Sequence, residues 1–513
     1  MRSLSHLPQE ILSIIVKFAA ADSHGYRTLL NICLLDRLFY SIGLTVLYSH
    51  WAYYGDEHTL ASLWRFVRTV ISNPKLASLV RSLDVQYWGN PGEAAIRNAF
   101  EVSQEDVGLF QQACQKSGFP ISEQNIRKLL QKPDRRPFVA LLLTQLPNVS
   151  VMHANMPGFH EKYLGSVFEQ ASWSSSERGY MKAFAKLKVL YVWSEWASPD
   201  WDSVRVPNNH YRLRLSHPDT IFGLPLLDRL CLFDIDTSEM HCRESTAGTS
   251  SVRHLTLVHG QDTRAGPAQT RTILALPKAL QSLSLYYYDQ GSRSSGPGWA
   301  GDNGVQHTTP TGSSSPDAQS TVSNAAIYNA LLVHSKSLEH VDIYRECSRS
   351  VHEEQQGTRS YFGSFLEFTS LRSMCISPEA LLPCSSDASM APLSLRDLLP
   401  PSLTKLTFYG NEKMYASIRL KTQIEGLLLS QNHPKLKTIV LESEPSFDNV
   451  SSTNTSHPDI NKACLKANVS LLELASHDLS KGGKHDANFM KVKGQRRWRE
   501  TRRKVYRESA RRG

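Results

Sequence analysis

No apolar run in this chain is long enough to cross a bilayer. The longest, Phe138 to Leu143, has six residues, where a membrane-spanning helix needs roughly 20. Cysteine is sparse and never grouped: the eight stand at 33, 114, 231, 242, 347, 375, 384 and 464, with no Cys-x-x-Cys among them. That spacing argues against a zinc module and a disulfide framework, and it fits a reducing compartment, the cytoplasm or the nucleus. Catalytic signatures are missing too. There is no His-Glu-x-x-His, no Gly-x-Ser-x-Gly, no phosphate-cradling Gly-x-x-x-x-Gly-Lys-Ser/Thr, and no Gly-x-Gly-x-x-Gly behind a strand. The histidines are dispersed, and pairs such as His153 and His160, or His254 and His259, lack partners at ligand spacing. The expectation is a protein that is not an enzyme and carries no cofactor and no metal. Ile11 to Ala21 ends in three alanines, as a secretory leader does, but Glu10 and Lys17 flank or interrupt it, so secretion is not expected.

Net charge is also scarce once it is located. The whole chain carries 57 Lys/Arg against 48 Asp/Glu, a formal +9. Residues 481–513 hold 13 of the basic and 3 of the acidic residues, a balance of +10, which leaves −1 for the 480 residues before them. The body is therefore neutral, and only the basic tail offers a nucleic-acid contact or a nuclear import signal. Within its arginine-rich stretch at 496–507, Trp498 and Tyr506 are the two rings available for stacking.

What is abundant is one short pattern, apolar-x-x-apolar-x-apolar. It reads Leu187, Leu190, Val192 at its first clear occurrence and recurs from 227, 252, 280, 338, 371, 403 and 436. The last four start 33, 32 and 33 residues apart; earlier steps are 25 and 28, and the step of 58 from 280 to 338 contains a stretch rich in Gly, Ser, Thr, Pro and Asp. A preceding unit combines a helical stripe (Leu60, Leu63, Phe66, Val67, Val70), the stop Asn73-Pro74 and an alternating strand from Leu79 to Val85. Helical patterns such as Ile327, Leu331, Leu332 and Ile424, Leu427, Leu428 lie between the later strings. Repeated strand-helix units that cannot bury their own apolar faces stack on one another, and the string resembles the strand signature of leucine-rich repeats in a degenerate form. Residues 100–180 do not show the string and read as helical, with apolar patches at 107–114, 126–130 and 138–146.

The first fifty residues carry a different signal. Leu7-Pro8-Gln9-Glu10-Ile11-Leu12 opens a helix, with proline in the first turn, where its missing N–H costs nothing, and an acid beside the helix N-terminus. Ile15 and Phe18 continue its apolar face, and helices are expected over about 26–33 and 36–47, through Leu29, Leu30, Leu34, Leu38-Phe39-Tyr40 and Leu47. Three helices this short enclose little surface, so so many large apolar residues imply cover from elsewhere. The arrangement resembles the F-box, the three-helix module that docks on the Skp-type adaptor of cullin-RING ubiquitin ligases. The resemblance implies that Leu7, Pro8, Ile11, Leu12, Ile15, Leu30, Leu34 and Phe39 contact that adaptor. It also implies that the repeats present a concave, strand-lined face to a substrate protein. The x positions of the strings would read it, chiefly Tyr191, Arg229, Arg253, Glu339, Asp342, Arg372 and Lys405, with Asp228, His254, His340 and Lys437 beside them.

The expected class is α/β. Residues 1–50 form an F-box-like helical module, 51–180 a helical junction with a first strand-helix unit, and 181–447 an irregular leucine-rich-repeat-like solenoid interrupted by a disordered insertion at 290–322. A loop and cap at 448–480 and a disordered basic tail at 481–513 complete the chain. The expected function is that of a ubiquitin ligase adaptor without membrane association. Two alternatives are a repeat scaffold outside any ligase and a nuclear nucleic-acid-associated protein acting through the tail.

Overall fold

The structure is a computed structural model that describes residues 7–20, 25–55, 58–86, 103–118, 135–156, 162–173, 183–194, 213–214, 218–237, 240, 246–259, 267–288, 324–346, 362–382, 394–410, 414–415, 417–443 and 457–474. The insertion at 290–322, the patch at 126–130 and the tail at 481–513 lie outside these residues.

Three helices open the chain: α1 (Gln9–Ala20), α2 (Gly25–Cys33) and α3 (Arg37–Ser49). Asp36 starts α3 by accepting the Phe39 amide at 2.9 Å, which satisfies one of the amide groups a helix start leaves unpaired. Gly43 lets α3 approach α2 closely, since a Cβ there would stand 2.6 Å from the Cys33 sulfur. The three helices share a small core of Leu12, Val16, Leu29, Phe39 and Ile42, separate from the rest of the apolar interior. Next comes β1 (His50–Tyr54), then α4 (Leu60–Ser72), capped by Thr59, whose side chain accepts the Ser62 amide at 3.2 Å. Its buried stripe of Leu60, Leu63, Trp64, Val67 and Val70 follows helical spacing. Asn73 ends α4 and caps α5 (Pro74–Ala77).

The remaining strands are β2 (Ser82–Gln86), β3 (Val151–Met156), β4 (Val189–Ser194), β5 (Leu213–Arg214), β6 (Arg229–Asp236), β7 (His254–His259), β8 (Ser282–Tyr288), β9 (His340–Glu346), β10 (Ser373–Ile376), β11 (Lys405–Gly410), β12 (Thr438–Ser443) and β13 (Ser470–Leu474). They form one sheet in chain order, with two-residue β5 off the path beside β6, and every pairing is parallel. Parallel neighbours need a crossover, and helices supply most of them. They are α6 (Gln104–Ser117), α7 (Arg136–Gln145), α8 (Lys162–Trp173), α9 (Pro218–Phe222), α10 (Pro267–Ala275), α11 (Asn324–Leu331), α12 (Pro378–Leu381), α13 (Leu395–Leu398), α14 (Ile418–Leu429) and α15 (Pro458–Lys466). Each described helix from α4 onward places residues in one continuous core, together with the paired apolar positions of the strings, such as Leu230 and Leu232 or Leu406 and Phe408. Helices therefore cover one face of the sheet.

The strings from Leu187 to Leu441 all become strands, each beginning two residues into its string. Two expectations need correction. Residues 100–180 were expected to be helical, yet they contain β3, which sits between β2 and β4. Its string is Val149, Met152, Ala154, and methionine and alanine in place of leucine blur the alternation. The segment 448–480, expected as a loop and cap, adds β13 to the sheet 32 residues after β12 begins, at 470 against 438.

Two buried histidines tie successive crossovers together. His334 Nε2 lies 2.7 Å from the Leu274 carbonyl and His433 Nε2 lies 2.9 Å from the Leu399 carbonyl. Burial lowers the His334 pKa against the raising effect of its carbonyl partner.

Candidate functional site

Two surfaces stand apart from this core. The first belongs to α1–α3. On α1, Leu12 and Val16 point inward and are fully buried, while Ile11, Ile14, Ile15 and Phe18 are exposed, Phe18 at 76%. Leu7 and Pro8 ahead of the helix are exposed as well. On α2 Leu30 is exposed, and in the turn to α3 Leu34 and Leu35 are 83% and 67% exposed. That turn is held by Leu34 and Leu35 amides donating to the Asn31 and Ile32 carbonyls, both at 3.1 Å, so the backbone itself presents the two leucines. Burying one such side chain is worth about 1.5–3 kcal/mol, and exposed apolar surface of this density marks an interaction site.

Of the eight residues expected to contact an adaptor, Leu7, Pro8, Ile11, Ile15, Leu30 and Leu34 lie on this surface. Leu12, at 0% exposure, and Phe39, at 8%, do not: both are spent on the small core that holds the helices together. Ile14, Phe18 and Leu35 join the surface without having been singled out in the sequence. The i, i+4, i+7 spacing of Ile11, Ile15 and Phe18, offset from Leu12 and Val16, is the signal that separates the two stripes.

The second surface is the sheet face away from the helices. Strand register aligns side chains in lateral rows. The row at the strand starts runs through Ser82, Val151, Val189, Arg229, His254, Ser282, His340, Ser373, Lys405 and Thr438. Two residues further along each strand a middle row runs through Asp84, His153, Tyr191, Cys231, Thr256, Ser284, Asp342, Cys375, Thr407 and Val440. Beyond that, Val258, Tyr286, Tyr344 and Tyr409 form a buried cluster with Phe233 and Cys375 against it, and no helix contributes to it.

Asp342 organises that cluster. Its carboxylate accepts the Tyr286 hydroxyl and the Tyr409 hydroxyl, each at 2.6 Å, and so links β8, β9 and β11. Tyr344 and Tyr409 meet edge to face with ring centroids 5.3 Å apart. Burial, and then the Asp342 charge, push both phenols well above their ordinary pKa, so they remain protonated donors. At the N-terminal end Asp84 is buried and accepts the Tyr54 hydroxyl at 3.0 Å and the Gln86 amide at 2.8 Å. His153 packs edge-on against Tyr191 at 4.7 Å, and burial, with His50 nearby, lowers its pKa to about 4. Buried Cys114 and Cys464 are pushed up to about 12 and about 11 by desolvation and stay thiols. Among the described residues no group of three or more His, Cys, Asp or Glu is placed to hold a metal ion, and no helix is long and apolar enough to cross a membrane.

The seven residues expected to read a substrate divide between places. Arg229 and Lys405 stand in the first row, Tyr191 and Asp342 in the middle row. Arg253, Glu339 and Arg372 precede β7, β9 and β10 by one residue and stand on the rim instead of in a strand row. The carboxylate of Asp342 is engaged by the two tyrosines and does not face outward as a free acceptor. The tyrosines were not singled out in the sequence, although each follows the last apolar residue of its string.

No protein-family model matches this chain, and no curated protein matches it.

Proposed function

We propose that this chain is the substrate-recognition adaptor of an SCF-type cullin-RING ubiquitin ligase. The observation that carries the reading is the N-terminal unit: three helices with a core of their own and, outside it, Leu7, Ile11, Ile15, Phe18, Leu30, Leu34 and Leu35 left exposed. That is the pattern expected of an F-box awaiting its Skp-type adaptor. The strand-helix units that follow act, in this reading, as a degenerate leucine-rich-repeat solenoid whose strand-lined face holds a substrate protein. Chemistry belongs to other subunits. The chain contributes by holding a substrate lysine near loaded ubiquitin, which raises the effective concentration of the two. Such work calls for no metal, cofactor or membrane, and suits the cytoplasm or the nucleus.

Co-expression with a Skp-type adaptor tests it. The two chains are expected to co-purify, and Leu7→Ala, Pro8→Ala and Ile11→Ala together are expected to abolish the complex while the chain stays folded, since all three side chains are exposed. A soluble, folded chain that never captures the adaptor would instead be a repeat scaffold outside any ligase.

A further inference from the structure

We propose that the strand-start rim of the sheet, on its helix-free side, binds an acidic peptide segment through Arg229, Lys405 and Lys437. Calling that segment a substrate rests on the ligase reading above; its chemistry and position do not.

The helix-free face is graded along the strands. Its far end is filled by the protein's own side chains, with Val258, Tyr286, Tyr344 and Tyr409 all buried. In the middle row Cys231, Thr407 and Val440 are buried and Asp342 is engaged by tyrosines. At the strand starts Arg229, His340 and Lys405 are exposed, as is Lys437 just ahead of β12. A partner that reads side chains on this face meets them at this end.

The exposed end is also charged. From β6 to β12 the rim and first row carry five cations, Arg229, Arg253, Arg372, Lys405 and Lys437, against two anions, Asp228 and Glu339. Both anions are already engaged: Arg253 Nε donates to Asp228 Oδ1 at 2.6 Å, and Arg372 Nε lies 3.9 Å from Glu339 Oε2. Among the described residues Arg229, Lys405 and Lys437 form no ion pair, although the chain body as a whole is neutral. His254 registers the crowding, because after burial its pKa is held down by Arg229, Arg253 and His340 against the pull of Asp228. Adjacent strands lie about 4.8 Å apart, so the five steps from β6 to β11 span about 24 Å. An extended peptide covers that distance with about seven or eight residues. A nucleic-acid strand suits the rim less well. Asp228 and Glu339 would face its unbroken phosphate line, and this row, from Arg229 to Thr438, presents no Phe, Tyr or Trp ring for a base, only the imidazoles of His254 and His340.

The test uses the full chain with Arg496, Arg497, Arg499, Arg502 and Arg503 changed to Gln, which halves the tail's balance from +10 to +5 and so reduces its masking of the rim, in the parent and in every rim variant alike. Fluorescence anisotropy would follow a labelled glutamate peptide of about twelve residues. The chain with this reduced tail is expected to bind it, with affinity falling as salt rises. Adding Arg229→Glu, Lys405→Glu and Lys437→Glu is expected to weaken binding more than about tenfold with the melting temperature unchanged. Lys405→Gln with Lys437→Gln provides a milder form with a graded loss. Equal binding by the rim-reversed and parent chains would overturn the proposal. So would tighter binding of an oligouridine of matched length, which would make the rim a nucleic-acid surface. Adaptor capture, measured on the same proteins, is expected to be unaffected by the rim changes. Its failure alongside intact peptide binding would remove the ligase reading and leave the rim site standing.

Discussion

Leu12 and Leu34 are leucines of the same three-helix unit, and the fold uses them in opposite ways. Leu12 is fully buried and Leu34 is 83% exposed. Leu12→Ala is therefore expected to cost about 2–5 kcal/mol of stability in denaturant unfolding, while Leu34→Ala should change it by less than about 0.5 kcal/mol and yet weaken adaptor capture. Asp342 supports a second contrast. Asp342→Ala leaves two buried tyrosine hydroxyls without their acceptor and is expected to destabilise by about 2–4 kcal/mol. Tyr286→Phe or Tyr409→Phe, which removes one donor only, should cost about 1 kcal/mol. His153 governs a pH dependence. Its folded pKa of about 4 lies below the ordinary 6.5, so below about 6.5 the unfolded chain takes up the proton more readily. Its contribution to stability is complete above pH 6.5 and is lost as pH falls toward 4. His334, also shifted down by burial, acts in the same direction. Melting temperature is expected to drop across that window, and less steeply in His153→Gln.

At the scale of elements, the strands were the most legible part of the sequence. A leucine at three fixed offsets is what a strand needs when one face is buried against helices, and Leu403, Leu406 and Phe408 are all buried as that pattern requires. Leu406→Ala in β11 is expected to cost about 2–5 kcal/mol, visible as a lower denaturant midpoint. The string failed where smaller or more flexible residues took the apolar positions, as Met152 and Ala154 do in β3. The N-terminal helices were readable in extent, while the capping of α3 by Asp36 came to light only in the structure. Which apolar residues face outward was less readable, because it depends on helix-helix packing: Phe39 and Leu34 look alike in the chain, and only the approach of α3 to α2 at Gly43 assigns one to the core. The tyrosine cluster on the helix-free face escaped for a related reason. A tyrosine after a strand string looks solvent-facing until the register sets it beside Asp342 on a neighbouring strand.

For the whole molecule, the proposed function places docking at one end and recognition on the sheet. The two proposed functions would rest on separate cores, since α1–α3 pack on their own cluster while all later described helices pack on the sheet. Changes on one surface should therefore leave the other intact. The most direct test is calorimetric titration of the purified full chain with a purified Skp-type adaptor, repeated at several temperatures and with Leu34→Asp. Saturable binding with a negative heat-capacity change is expected, as burial of apolar surface requires, together with loss of binding by the variant at unchanged melting temperature. No heat of binding from a folded chain, or equal binding by Leu34→Asp, would contradict the proposed function.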